Sequence, residues 1–96
     1  MEIVNAKIES TNLGFEGHGV FSFMLHLDYG GGGQGFGGYA LGGEYTNQVI
    51  KGILKTLDVE NWEDLPGTFV RVKREQRGKI HEIGHLLDDK WFNPQV

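Results

Sequence analysis

The stretch His81-Glu82-Ile83-Gly84-His85 is the segment of the sequence that matches a catalytic motif. It fits H-E-x-x-H, in which two histidines hold a zinc ion and the glutamate serves as the general base of a hydrolase. The motif requires a helix, because side chains four residues apart on a helix lie about 5–6 Å from each other. On a strand the same separation is about 13 Å, at a rise of roughly 3.3 Å per residue, and one ion cannot bridge His81 to His85.

The residues before this motif favour a strand. Residues 68–75, TFVRVKRE, alternate with Val70 and Val72 on one face. Residues 76–78, Gln-Arg-Gly, predict a hairpin loop with the glycine at the position that needs a positive φ, so that residues 79–87 return as the partner strand. The alternative is a helical stripe formed by Ile80, Ile83, Leu87 and Trp91.

A zinc site at this position would also lack its third ligand. The extended motif H-E-x-x-H-x-x-G-x-x-H needs a glycine and a histidine where the sequence has Asp88 and Trp91. Only His18 or His26 could complete a site. We therefore predict no metal and no catalysis, and a zinc hydrolase built on the two motif histidines is the least favoured alternative.

Cations and aromatic residues form a second candidate site, for an anionic ligand. Five cationic residues cluster around the predicted hairpin: Arg71, Lys73, Arg74, Arg77 and Lys79. A ligand with phosphates and a purine needs cationic donors for the phosphates and an aromatic plane for the base. The residues that we predict for this site are Phe36, Tyr39, Arg71, Arg74, Arg77 and Trp91. The alternative is a solvated strand edge that guards against aggregation, with the aromatic residues in the core.

The elements that position these residues are predicted to be strands and one helix. Five strands are expected, over residues 2–13, 20–29, 34–41, 68–75 and 79–87. In the second strand, alternate residues from Phe21 to Tyr29 form an apolar face that should belong to the core. In the third, Phe36 is predicted on one face and Tyr39 on the other.

One amphipathic helix is predicted over Thr46–Leu57. Its apolar stripe consists of Val49, Ile50, Ile53, Leu54 and Leu57. Thr46 is the expected N-cap, and Gly52 is expected to allow close packing on a sheet. The predicted fold is therefore a single α+β domain, residues 1–96, with an antiparallel sheet of about five strands.

Glycines dominate residues 30–43, GGGGQGFGGYALGG. Because glycine weakens a strand through chain entropy, some feature must need the missing side chains. Such segments cradle phosphates when they lead into a helix N-terminus, yet this one lacks a Walker lysine and the spacing of a dinucleotide fingerprint. A close backbone contact, including a subunit interface, explains it equally well.

Composition narrows the classes of function. A chain of 96 residues with 39% hydrophobic and 23% charged residues is expected to fold as one globular domain. The absence of cysteine excludes thiolate metal sites and favours a reducing compartment. A net charge of −4 disfavours binding to duplex nucleic acid. The N-terminal residues MEIVNAKIES do not resemble an export signal and no segment is long enough to span a bilayer, so we expect a cytoplasmic protein with no membrane partner.

The chain as a whole resembles a family of small phage and prophage proteins, from about Ile8 to Phe92. The most specific parts are HGVFSFMLHL, QGFGGYAL and WEDLPGTFVRV. In that family pattern the stretch matching HEIGH is variable, which implies that the zinc motif is accidental. The resemblance further suggests a relationship to the Thoeris anti-defence proteins. Those are non-catalytic oligomeric sponges that trap a cyclic ADP-ribose signal, and in some members cyclic oligonucleotides, at subunit interfaces.

This resemblance implies a function without a cofactor and without turnover. The expected protein is a counter-defence binder in the host cytoplasm that sequesters a nucleotide-derived signal as a homodimer or higher homo-oligomer. None of the sponges' binding residues is carried over to a position of this chain. The alternative from another class is a protein-surface inhibitor that blocks a host nuclease or defence complex through an acidic face and exposed aromatic residues.

Overall fold

A computed structural model describes residues 1–95 and shows a six-stranded antiparallel sheet with one helix packed against it. The strands are β1 Glu2–Phe15, β2 Phe21–Asp28, β3 Gly33–Ala40, β4 Phe69–Arg74, β5 Ile80–His85 and β6 Trp91–Phe92, in the order β3-β2-β1-β4-β5-β6. The helix α1 spans Gly43–Leu57, and a short 3-10 turn covers Trp62–Asp64. The predicted α+β class is confirmed, with one strand more than expected.

The first strand holds the sheet together. Its first half pairs with β4, from Glu2 opposite Arg74 to Lys7 opposite Phe69. Its second half pairs with β2 and ends with Phe15 opposite Phe21. A register shift between Ile8 and Ser10 marks the change of partner. β1 therefore joins two hairpins that lie far apart in the sequence.

The two faces of the sheet differ in what covers them. The inner face packs against α1 and the segment around Leu65, and its buried side chains form the core: Ala6, Ile8, Phe23, Leu25, Leu27, Phe36, Val70, Val72, Ile80 and Ile83. From the helix, Val49, Ile53 and Leu57 complete this core. The opposite face, called the outer face below, carries exposed side chains, among them Ile3 and Phe69, which are 56% and 57% exposed.

The helix begins earlier than predicted. It starts at Gly43 after the extended residue Gly42, which makes no side-chain cap, so Thr46 lies inside the helix and is not its N-cap. Gly52 does allow close packing, because a Cβ there would lie 2.6 Å from Cε1 of Phe92. In the part of the chain that the structure describes, no helix combines the length and apolar character needed to cross a membrane.

Two local backbone predictions were wrong. In the β4–β5 hairpin the positive φ belongs to Arg77, at 55°, and not to Gly78. In β3 a register shift opposite Ser22–Met24 lets both Phe36 and Tyr39 pack on the core, although they were predicted on opposite faces. Side chains three positions apart on a regular strand point to opposite faces. A bulge adds one residue between them, so that both side chains point to the same face.

Candidate functional site

The H-E-x-x-H stretch is a strand, as its neighbours predicted, because residues Ile80–His85 form β5. A register shift places His81 between the pairs Arg74–Ile80 and Lys73–Glu82. Its Nε2 lies 2.6 Å from a carboxylate oxygen of Glu75, across the hairpin. At about 13 Å along a strand, the two motif histidines cannot hold one ion.

His85, Asp58 and Lys90 form a group of polar contacts, called the clasp below, between the end of α1 and the segment after β5. Nδ1 of His85 accepts hydrogen bonds from the backbone N–H groups of Leu87 and Asp88, at 3.2 and 3.0 Å. Its Nε2 lies 3.5 Å from Oδ2 of Asp58, and Nζ of Lys90 lies 2.9 Å from the same oxygen. The hydrogen bond from Lys90 and the positive charge of Lys90 lower the pKa of Asp58 below its usual 3.8.

This clasp is an ion-pair group and not a good cation site. Ligand atoms of Asp58, His85 and Asp88 do lie within 4.8 Å of one another. However, an Nδ1 that accepts two N–H groups leaves the proton of a neutral imidazole on Nε2. A metal ion would then have to displace both that proton and the Lys90 ammonium.

The outer face carries a cation–indole cluster, which consists of Arg71, Lys73 and Trp91. The Arg71 guanidinium carbon lies 4.9 Å from the centroid of the Trp91 ring, and Nζ of Lys73 lies 4.2 Å from it. Both distances are within the range of cation–π attraction, which contributes about 0.5–1 kcal/mol at an exposed site. Three consecutive strands create the cluster, because Gly84 pairs with Arg71 of β4 on one side and with Trp91 of β6 on the other.

Gly84 makes room for the indole. A Cβ at this position would lie 2.5 Å from Cε3 of Trp91 and 2.7 Å from Cδ2, which is closer than real Cβ atoms come. The indole therefore lies directly on the backbone of β5. Its Nε1 donates to a carboxylate oxygen of Asp89 at 3.0 Å, so the orientation of the ring is fixed at a second point.

Hydrogen bonds to carbonyl groups hold the Arg71 guanidinium in place. Its Nε donates to the carbonyl oxygen of His85 and its Nη2 to that of Asp88, both at 2.9 Å. Lys73 has a looser partner, because its Nζ lies 3.9 Å from Glu82. The cluster thus presents one oriented guanidinium, one adjustable ammonium and an aromatic ring, which are groups that bind phosphate and stack on a base.

Arg74 and Arg77 lie outside this cluster. Nε of Arg74 donates to Glu2 at 3.0 Å, and its guanidinium covers the ring of Tyr29 at 4.7 Å. Burial raises the pKa of Tyr29, whose hydroxyl donates to Gln34 at 2.7 Å, although the charge of Arg74 opposes that shift. The Arg77 backbone N–H also donates to Glu2. Arg74 therefore closes one end of the inner face by a polar network.

The two predicted aromatic residues of β3 are part of the core. Phe36 is 2% exposed, and Tyr39 stacks on Phe23 with 6.2 Å between ring centroids. Of the six residues predicted to bind a ligand, the structure brings together Arg71 and Trp91 in one chain. Lys73 was counted in the predicted cationic cluster but not among the six predicted binding residues, although its position two residues from Arg71 places both on the same strand face.

A polar groove of about 440 Å³ lies at the free end of the β1–β2 hairpin. The polar side chains that line it are paired with one another. The Ser22 hydroxyl donates to Glu16 at 2.6 Å, and Nε2 of His26 lies 2.8 Å from Oδ1 of Asn12. The described residues that line the groove include no Lys or Arg, so the groove offers a phosphate no cationic donor.

These contacts define a small α+β protein with a preorganised cation–indole cluster on an open sheet face. Comparisons with protein-family models, with curated proteins and with solved structures found no match.

Proposed function

We propose that this protein is a non-catalytic phage protein that binds and sequesters a nucleotide-derived signal in the host cytoplasm. The ligand class is a cyclic ADP-ribose or a cyclic oligonucleotide, and the binder is a homo-oligomer that needs no cofactor. The observation that carries the proposal is the cation–indole cluster, with cations 4.9 and 4.2 Å from one indole centroid. The resemblance to small phage proteins supports the biological setting.

The chemistry of the cluster suits this ligand class. A phosphate would accept from the guanidinium of Arg71, whose direction two carbonyl groups already fix. Lys73 would supply a second positive charge, since its bond to Glu82 is long at 3.9 Å. A base would stack on the Trp91 ring after the Lys73 ammonium, which lies over that ring at 4.2 Å, turns toward the phosphate. Charged hydrogen bonds and base stacking contribute most of the affinity in sites of this kind.

A thermal-shift experiment with cyclic ADP-ribose isomers and cyclic dinucleotides tests the proposal. A ligand that binds the native state at 100 times its Kd stabilises it by about 2.7 kcal/mol and raises the Tm. We expect the shift to disappear in Lys73→Met and Trp91→Leu. Lys7→Met is the matched control, because Lys7 lies over Phe69 at 5.6 Å on the same sheet face. Recovery of the ligand chemically unchanged after denaturation would support sequestration.

Two results would contradict the proposal. One is the absence of a Tm shift with every member of the ligand class at millimolar concentration. The other is a shift that Lys73→Met and Trp91→Leu retain in full, since the ligand would then bind elsewhere.

The exposed apolar side chains support a second candidate, a protein-surface inhibitor of a host nuclease or defence complex. Phe15 is 77% exposed and Phe69 57% exposed, and large exposed aromatic residues are frequent at protein interfaces. A host protein that co-purifies with the wild-type chain and is lost with Phe15→Ser or Phe69→Ser, without any response to nucleotides, would favour this function.

A further inference from the structure

We propose that two copies of this chain pair edge to edge through β3, across a two-fold axis at Gly35. This inference rests on the homo-oligomer in the proposed function and specifies the interface between its subunits. The result would be one continuous antiparallel sheet that runs through both copies.

The two edges of the sheet are built differently. β6 is only two residues long and is followed by Asn93 and Pro94, and short edge strands and proline both discourage pairing with another chain. β3 is eight residues long, GQGFGGYA, and contains neither a charged residue nor a proline. Within residues 1–95, no strand pairs with the outer side of β3. The features that discourage pairing at the β6 edge, a short strand and a proline, are absent from the β3 edge.

The register of β2 and β3 shows which backbone groups of this edge are free. The N–H of Tyr29 donates to the carbonyl of Gly32, so this pair is a hydrogen-bonded one. Hydrogen-bonded and non-hydrogen-bonded pairs alternate in an antiparallel ladder. The next hydrogen-bonded pair is therefore Leu27 with Gln34, and the N–H and C=O groups of Gly33 and Gly35 point away from β2.

A second copy of the chain is the partner that fits this edge. An isologous pair places the same strand against itself in opposite directions, which an antiparallel ladder requires. Gly33, Gly35 and Gly37 lack side chains, so the two β3 edges could approach without steric conflict between side chains on the outer face. Gly37 has a φ of 137° and the register shifts after it, so the regular part of this edge is short. Gly35, whose N–H and C=O groups point outward, lies within that part.

Charge substitutions at Gly35 test the interface. In a hydrogen-bonded pair the two Cα atoms lie about 5.5 Å apart, so like charges at Gly35 would face each other across the axis. By size-exclusion chromatography with light scattering, we expect a dimer for the wild type and monomers for Gly35→Lys and Gly35→Glu. An equimolar mixture of these two variants should form a dimer again.

Gly35→Gln is the matched control. A Cβ at Gly35 would lie 2.9 Å from Sδ of Met24, a flexible side chain that must shift in all three variants. Gln makes the same steric demand without a charge, so this variant should remain dimeric. A monomeric wild type, a mixture that stays monomeric, or Lys and Glu variants that stay dimeric would each overturn the inference.

Titration with cyclic ADP-ribose separates this inference from the proposed ligand. The cation–indole cluster lies on β4 and β6, at the other side of the sheet from β3. Dimers that show charge rescue but bind no nucleotide would support the interface and contradict the ligand class. Nucleotide binding by a monomeric wild type would support the ligand class and contradict the interface.

Discussion

Gly84 determines where the Trp91 indole lies, so a methyl group at this position should disturb the cluster without removing any of its members. We predict that Gly84→Ala weakens ligand binding by at least about tenfold, because the new Cβ would lie 2.5 Å from the ring and force it off the strand. Titration calorimetry with the nucleotide that raises the wild-type Tm measures the change. Gly31→Ala serves as the control, since open space surrounds Gly31. Equal affinities for Gly84→Ala and the wild type would mean that the indole position does not matter.

Arg77 occupies a backbone conformation that disfavours its side chain. Its φ is 55°, in the left-handed region that costs an L-residue about 1–2 kcal/mol. Glycine relieves that strain but loses about 0.5–1 kcal/mol through the entropy of the unfolded chain. We therefore predict that Arg77→Gly raises the free energy of unfolding by roughly 0.5–1 kcal/mol in urea denaturation.

The comparison variant for Arg77 is Arg77→Ala, which removes the charge and keeps the strained backbone. It should not be more stable than the wild type. If alanine stabilised the protein as much as glycine does, the gain would come from the lost charge and the backbone explanation would be wrong.

At the scale of elements, the clasp joins α1 to the β5–β6 segment by a pH-dependent contact. Asp58 follows the helix C-terminus, where a carboxylate is unfavourable, and Lys90 compensates with a contact of 2.9 Å. Since the folded pKa of Asp58 is lowered, its contribution to stability is present above pH 3.8 and is lost as the pH falls through the folded pKa. We predict that Lys90→Gln moves the Asp58 pKa back up toward 3.8.

Carboxyl carbon shifts in an NMR titration of wild type and Lys90→Gln measure this change directly. Lys55→Gln, on the same helix but without a contact to Asp58 among the ion pairs of the described residues, is the control. An Asp58 pKa that stays equally low in Lys90→Gln would show that a group other than Lys90 lowers it.

The elements with a strong residue pattern were predictable from the sequence. The alternation from Phe21 to Tyr29 fixes β2 and its core face, and five strands were predicted within two residues of their observed bounds. The start of α1 was missed because its N-cap residue, Gly42, has no capping side chain to indicate it. β6 was missed because two residues show no periodicity. It forms only where Gly84 can accept Trp91 beside it.

The candidate site was predictable only in part, and bulges explain why. A bulge adds one residue to a strand without any composition signal, and the one in β3 moves Tyr39 to the core side together with Phe36. Arg74 was chosen for its charge, yet its place opposite Glu2 in the register turns it inward. Arg71 meets Trp91 through β6, the strand that the sequence pattern did not reveal.

At the scale of the whole molecule, the pairing of β1 with β4 makes the fold dependent on both ends of the described chain. Glu2 pairs with Arg74, 72 residues later in the chain, so the centre of the sheet depends on contacts of long sequence separation. We predict that a fragment of residues 1–66, which lacks β4 to β6, is unfolded, because α1 packs against β5 and β6. Circular dichroism should show no cooperative unfolding transition, whereas the full chain should show one. A cooperative transition in the fragment would mean that β1–β3 and α1 fold without them.

The unequal edges also bear on how far the protein can assemble. A sheet with two long unpaired edges can add a further copy at each edge and grow into a fibril. A sheet with only one such edge has no unpaired edge left for growth once two copies have paired. Here the second edge is β6, two residues long and followed by Pro94. In the proposed dimer, the short β6 at each remaining edge would stop the sheet from adding further copies and growing into filaments.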